Sequence, residues 1–461
     1  MDRTYPPGPR DRLWGISFFG HVNRAPLTFI ARVAREYGDF AYLRVGWVRL
    51  YLVNRPELIR EILTTKVKSF RKVGRQMNAL RKIEGEGLVV SDGDIWTRHR
   101  PLVQGSFHAR HMKEYARVVV EHTQRRLQRW SPGARFDLAE EMNELALEII
   151  AKVVFGVDVS EQATRLRDAI HVARASMQKE MGSMVVLPDW LPLPGKLRQR
   201  RALRTVDTLI WDLIRRRRAS PETRNDMLGQ MLAAASRIQT GVPITDTEIR
   251  DEATTLFVAG HDTTSATMAW FWHVLSQHPE VESRATREVD AALGGRAPTL
   301  EDLPNLRYLE MVVKESMRLY PASSFLFGRE AVHDIELGGY TLRRGSWIFI
   351  SPFVVHRDRN YFSDPEEFDP LRFSPERLSA IPPYAYIPFG GGSRICIGNV
   401  FAIMEMVLVA AAVLQKFHIR LDQAAPEMEL EVVLRPKGGL RMRAVPRRQG
   451  EETTRPVEVA G

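Results

Sequence analysis

The strongest chemical signal in the chain is a ten-residue segment, Phe389-Gly390-Gly391-Gly392-Ser393-Arg394-Ile395-Cys396-Ile397-Gly398. Its three consecutive glycines let the backbone approach another group closely and leave N–H groups unobstructed. Cys396 falls at the mouth of a helix predicted over about 397–416, where the helix dipole and free N–H groups favour a thiolate over a thiol. Arg394, two residues earlier, adds positive charge. Cys396 is the only cysteine, so no intramolecular disulfide can form and multi-cysteine zinc and iron–sulfur sites are excluded. A lone cysteine without context reads as a small buried hydrophobe. The glycine run and the helix start point instead to a functional thiolate. A phosphate loop is the other reading, but no Lys-Ser/Thr follows the glycines.

A second polar group interrupts an apolar helix. From Ile244 to His278 the pattern is helical, with Thr245 and Glu248 fitting a capping box and Pro279 ending it. Such a helix has about 33 residues and spans roughly 50 Å. Its apolar residues fall on nearly all sides, the mark of a buried central helix. Yet Asp262, Thr263 and Thr264 sit in its middle. The bland reading is a threonine bonded to the i−4 carbonyl and an acid on a solvated stripe. Burial weakens that reading, because unpaired buried polar groups are costly. Further on, Glu315 and Arg318 share a helix face, which by itself is an ordinary ion pair.

With these residues in view, the chain resembles the cytochrome P-450 family of haem-thiolate monooxygenases. The family's haem-loop pattern, Phe-x-x-Gly-x-Arg-x-Cys-x-Gly, is met by Phe389, Gly392, Arg394, Cys396 and Gly398. Its Glu-x-x-Arg is met by Glu315 and Arg318, and Phe368-Asp369-Pro370-Leu371-Arg372-Phe373 looks like its Phe-x-Pro-x-Arg-Phe loop. Ala259-Gly260-His261-Asp262-Thr263-Thr264 matches the pattern of its central helix, and Trp96 and Arg100 match its Trp-x-x-x-Arg. The likeness runs from about residue 5 to 445.

The resemblance implies haem b with Cys396 as the iron's axial thiolate ligand, which pushes electron density toward O–O cleavage. Phe389 and Gly398 flank that ligand in the haem loop, and Trp96, Arg100, Arg394 and Arg329 would hold the propionates. Ala259 and Gly260 would leave room for dioxygen, with Thr263 hydrogen-bonding the oxygen on the iron and Asp262 relaying protons. His261 would point away. For Arg98 and His99 a solvated helix face is at least as good a reading. Glu315, Arg318 and Arg372 would form a buried structural triad. The implied reaction inserts one atom of O2 into an apolar organic molecule by hydroxylation or epoxidation. Fatty acids, terpenes, steroids and macrolactones all stay open. The alternatives are a peroxide-driven peroxygenase, against which Asp262 and Thr263 count, and a helical binding protein without haem, against which the Cys396 loop counts. Electrons would come from NAD(P)H through a separate acidic ferredoxin or flavodoxin and its reductase. Arg98, His108, Arg110, His111 and Lys113 are the expected docking patch.

The composition fits. Across 461 residues, 44% are apolar and 26% charged, the balance of a globular protein, and Lys+Arg 66 against Asp+Glu 56 leaves +10. That surplus suits an acidic partner. Arg215 to Arg218 end a predicted helix over 203–218, where cations suit the dipole, so nucleic acid is not the expected partner. The longest apolar run, Met406 to Leu414, has nine residues, against about 20 for a spanning helix. Only four residues precede the proline-marked start, so an enzyme without a membrane anchor, a cytoplasmic monomer, is expected. The elements expected to position the site are a hairpin from Phe40 to Val53, mostly helix over 95–320, β-type alternation from Phe325 to Phe353, a proline-rich loop region to 390 and the 397–416 helix. The fold class is mainly α with a small β portion: a segment 1–20, one large domain 21–446 and a disordered tail 447–461. The substrate pocket is expected from the 75–90 loop, the 176–194 segment, Phe257–Gly260 and Ser323–Phe327. Met177, Met181, Met184, Val185, Val186 and Phe325 to Phe327 suit an apolar guest.

Overall fold

The structure is a computed structural model and describes residues 5–9, 18, 25–158, 161–182, 188–219, 225–236 and 242–447. Most of the N-terminal segment and all of the tail after Arg447 lie outside the described residues. Helix α1 (Pro26–Tyr37) buries Leu27, Ile30 and Val33. The β-prone run after it forms the expected hairpin, β1 (Phe40–Val45) and β2 (Val48–Val53), in register from Phe40↔Val53 to Val45↔Val48. Gly46 turns it at φ +60, a conformation that suits glycine. Next come α2 (Pro56–Leu63), β3 (Phe70–Lys72), α3 (Gly74–Glu84), α4 (Gly93–Gln104), α5 (Ala109–Leu127), β4 (Arg135–Asp137) and α6 (Leu138–Phe155). Then follow α7 (Glu161–Gly182), α8 (Pro194–Ala219) and α9 (Met227–Ser236). Helix α8 starts nine residues before the expected 203, because Pro194 suits a first helical turn.

Helix α10 (Asp246–Gln277) is the long central helix, 32 residues, and its capping box is present: Thr245 accepts the Glu248 N–H and Glu248 accepts the Thr245 N–H. His278 ends it, and Pro279 opens α11 (Pro279–Leu293). It packs along α6, α12 (Arg307–Leu319) and α15 (Asn399–Leu414). These helices share the largest core, in which Phe257, Val312 and Leu408 are almost fully buried. Between α12 and α15 lie β5 (Arg329–Ala331), β6 (Ile335–Leu337), β7 (Tyr340–Leu342), β8 (Trp347–Phe349), α13 (Pro352–Val355) and α14 (Pro375–Leu378). Strands β9 (Phe417–Leu421), β10 (Met428–Leu430), β11 (Leu434–Pro436) and β12 (Arg441–Pro446) end the described chain.

The main sheet has the order β1-β2-β8-β5-β3, with β2 and β8 parallel and the other pairs antiparallel. It covers a second core around Tyr51, Ile59 and Ile348. The fold is mainly α with a small β portion. Among the described residues no helix is long and apolar enough to cross a membrane.

Candidate active site

The Cys396 loop is shaped by its glycines. Gly390 and Gly392 adopt φ +72 and +64. A β-carbon on Gly392 would fall 2.0 Å from the Leu63 carbonyl oxygen, so only glycine lets the loop seat against α2. The Cys396 N–H closes the loop onto the Phe389 carbonyl (3.0 Å). Helix α15 starts at Asn399, two residues later than expected. The Cys396 side chain is exposed, and what it is exposed to is a cavity of about 320 Å³ enclosed by α10, the Cys396 loop and the β5 region. Behind it the sulfur is walled by protein, and burial pushes the thiol up. The Gly398 N–H bond to it and the Arg100 charge pull the other way without prevailing. This corrects the sequence reading: in the protein alone desolvation outweighs the helix mouth.

Cations gather at one edge of the same cavity. Trp96 and Arg100 project from α4, Arg394 from the loop and Arg329 from β5, and all four line it, as do Phe389, Gly398 and Gly260. Arg394 lies over the Trp96 ring at 3.9 Å and bonds Asp92 (2.7 Å) and the Ser91 carbonyl (3.2 Å). Arg100 bonds the Ile395 carbonyl (3.0 Å), tying α4 to the Cys396 loop. Arg329 bonds the Phe327 carbonyl (2.8 Å), and burial pushes its guanidinium down to about 10. Lys72, at the end of β3, is a further lining cation that sequence reasoning missed. Nothing in its local pattern marks it, since its burial comes from packing against the segment before α4. Lys72, Arg329 and Arg394 share one nearby carboxylate, Asp92. Buried cations in such excess call for anionic partners. A thiol facing the cavity, with this edge beside it, fits haem: Cys396 for the iron, the cations for the propionates.

Helix α10 supplies another wall. Ala259, Gly260, Thr263 and Thr264 line the cavity. The Thr263 hydroxyl donates to the Ala259 carbonyl (2.7 Å), the i−4 bond of the bland reading, while its side chain still faces the cavity. Gly260 also packs closely: a β-carbon there would meet Ile150 Cδ1, another lining residue, at 2.6 Å. Asp262 departs from expectation. It is buried and does not line the cavity. It pairs with Arg435 (3.0 Å) and with Arg174. His261 turns away as expected, toward the Asn143 carbonyl (3.1 Å), and burial pushes it down to about 3.

The solvated face suggested for Arg98 and His99 is corrected for His99, which is fully buried and bonded to Glu252 (2.6 Å) and Glu248 (3.1 Å). Arg98 also pairs with Glu248. Glu252 lines the cavity and was another residue missed. The pocket forecast holds for Leu88, Val89, Ala259, Gly260, Ser323, Leu326 and Phe327, while Phe257 lies in the core and Leu256, just before the expected stretch, lines the cavity instead. Met177 instead belongs to the core, and Phe325 packs against the cluster around α1 and β2. Side chains 181–187 lie outside the described residues. Away from the cavity, the Glu315 carboxylate takes two bonds from Arg318 (2.7 and 2.8 Å) and one from Arg372 (3.2 Å). All three are buried, so this triad is scaffold.

The comparisons with known proteins agree with this geometry. A Cytochrome P450 family profile matches residues 6–442. The cyclooctat-9-en-7-ol 5-monooxygenase of Streptomyces melanosporofaciens is 33% identical over 89% of this chain and 91% of its own. The pentalenene oxygenase of Streptomyces avermitilis is 33% identical over 95% and 97%. The crystal structure of the cytochrome P450DA haem domain superposes with a TM-score of 0.86 at 26% identity, covering 96% of this chain and 98% of that one. With a thiol-floored cavity, a cationic edge and a profile match over nearly its whole length, the chain belongs to the cytochrome P-450 family of haem monooxygenases.

Proposed function

We propose that the enzyme hydroxylates or epoxidises a compact, apolar terpenoid-type substrate, with electrons from a separate protein. The observation that carries this is the shared cavity: Cys396, the cationic edge and Ala259, Gly260, Thr263 and Thr264 of α10 all line it. Leu88, Val89, Leu256, Leu326 and Phe327 give it apolar wall as well, which suits a hydrocarbon guest. Two relatives, named for oxygenating cyclooctat-9-en-7-ol and pentalenene, support the class. Haem held by a cysteine thiolate activates dioxygen with two electrons and two protons, one oxygen atom leaving as water and the other entering the substrate.

The chain's own groups then have these roles. Cys396 would hold the iron, and Trp96, Arg100, Arg329 and Arg394 would hold the propionates. Thr263 presents its hydroxyl to the cavity and can pass a proton there when it leaves the Ala259 carbonyl. Asp262 is the acid behind it, and serving Thr263 requires it to exchange its Arg174 and Arg435 contacts. For the electron donor, the proposed patch keeps Arg110 and His111 as its centre. Lys113 is paired with Glu301 (2.7 Å), Arg98 with Glu248, and His108 caps α5. An acidic ferredoxin or flavodoxin, reduced from NAD(P)H, fits that surface, and a cytoplasmic monomer is the proposed working state. The test is spectral and chemical. The reduced protein with carbon monoxide should give the red-shifted Soret band of thiolate-ligated haem, and terpene hydrocarbons should yield singly oxygenated products only with a reductant. Turnover by peroxide alone at the same rate would favour the peroxygenase reading.

A further inference from the structure

Residues 85–91 join α3 to α4 and give the cavity Leu88 and Val89. Their backbone forms neither helix nor strand; turn bonds take the N–H groups of Gly85, Gly87, Val90 and Ser91, and the remaining polar groups need other partners. Buried ionisable side chains supply them. Asp251 accepts the Glu86 N–H (2.8 Å), and Glu252 accepts the Leu88 N–H (3.1 Å). Lys72 Nζ donates to the carbonyls of Leu88 (3.3 Å), Val89 (2.7 Å) and Ser91 (2.8 Å). Glycines allow the close approach: a β-carbon on Gly85 would fall 2.2 Å from the Asp251 carboxylate, and one on Gly87 2.0 Å from Thr255 Oγ1.

Both grips are themselves fixed. The other oxygen of Glu252 takes the His99 ring (2.6 Å), and the Lys72 N–H is held by Asp92 (2.8 Å). Burial raises Glu252 and pushes Lys72 down to about 7. Each sits where a charge is costly, and the bonds to the segment offset that cost.

We propose that Lys72 and Glu252 are positioning residues for substrate selection: gripping the segment from β3 and from α10, they hold Leu88 and Val89 fixed, so the cavity has its shape before a substrate arrives. This rests on the monooxygenase reading only in taking that cavity as the substrate site. A wall already in place costs less ordering on binding and discriminates size more sharply.

Amide exchange on the haem-loaded enzyme tests it. In the wild type the Glu86 and Leu88 amides should be protected. Lys72→Met and Glu252→Leu should speed their exchange about tenfold or more, leaving the α10 interior unchanged. Glu252→Gln, which keeps an acceptor oxygen, should stay near wild type. Two haem-binding azoles, imidazole and 4-phenylimidazole, read by Soret shift, supply the second arm. Lys72→Met should change affinity for the larger azole about threefold or more relative to the smaller. Fast exchange at Glu86 and Leu88 in the wild type would overturn the proposal without any variant, and so would equal shifts for both azoles. If the wild type gave no azole shift at all, the haem reading would fail, and exchange would still decide the clamp.

Discussion

Asp262 and Thr263 are consecutive residues of α10 that part company: Thr263 lines the cavity, while the Asp262 carboxylate lies off it, 3.0 Å from Arg435 and paired with Arg174. The pair can act together only if the arginines release the acid. Asp262→Asn removes the charge that both arginines hold and, in the proposed mechanism, the proton source behind Thr263. It should slow product formation by about 100-fold, within the range for one general acid, with substrate affinity little changed. Steady-state rates with a fixed donor check this. A loss below about threefold would remove Asp262 from the proton path.

Thr263→Ala deletes the one hydroxyl on α10 that both faces the cavity and bonds the Ala259 carbonyl. Electron consumption should continue, but less product and more hydrogen peroxide should form per electron pair. Simultaneous assays of reductant, product and peroxide read this split. Unchanged coupling would mean that the i−4 bond is the whole role of Thr263.

Gly392→Ala tests the seating of the cysteine loop. Its φ of +64 disfavours alanine, by roughly 1–2 kcal/mol, and the new methyl would overlap the Leu63 carbonyl at 2.0 Å. The loop must then move and carry Cys396 with it. The reduced carbon monoxide spectrum should lose much of its thiolate band while helix content is retained. A full band would show that the loop tolerates the shift.

Glu315→Gln tests the triad. The carboxylate holds Arg318 through two bonds and Arg372 through one, all buried. Removing its charge leaves two buried guanidinium groups short of a counter-ion, which costs about 3–5 kcal/mol. Denaturant unfolding of the haem-loaded enzyme should show that loss. A change under about 1 kcal/mol would place the triad among weak surface pairs.

How far the site was legible depends on whether its residues are neighbours in sequence. The Cys396 loop and the Ala259–Thr264 turn are contiguous, so residue types and spacing alone expose them. The capping box at Thr245 and Glu248 and the hairpin about Gly46 are local too, and both form as read. Lys72, His99 and Glu252 come from β3, α4 and α10, and meet only when the segment before α4 folds over the cavity. No periodicity records such a meeting. The direction of Asp262 was hidden for the same reason, because its partners Arg174 and Arg435 lie far away in sequence. The thiol's direction of shift was misjudged because a helix start is visible in sequence and depth of burial is not.

Stability should peak near pH 7 and fall on both sides, for opposite reasons. On the acid side stand three buried histidines. Burial pushes His261 and His356 down to about 3 and His273 to about 4, against about 6.5 in the unfolded chain. A depressed histidine stays neutral in the fold while the unfolded chain takes up its proton. Its contribution is therefore complete above pH 6.5 and is lost as pH falls toward the folded value. Three such groups give a slope of up to about 4 kcal/mol per pH unit near pH 5. On the alkaline side stands Glu405, buried in α15 and pushed up to about 8. It stays protonated in the fold while the unfolded chain ionises, so its contribution is complete below about pH 4.5 and is lost as pH rises to 8. Glu405→Gln should thus stabilise increasingly from pH 5 to 8, by about 3 kcal/mol at pH 7. His273→Phe should make the acid slope about one third shallower, since His273 packs between Trp270 and Tyr320 and its Nδ1 has no hydrogen-bond partner. Unfolding midpoints of the haem-loaded proteins at pH 5, 6, 7 and 8 measure both arms. A Glu405→Gln effect independent of pH would show that this carboxyl is not protonated by folding.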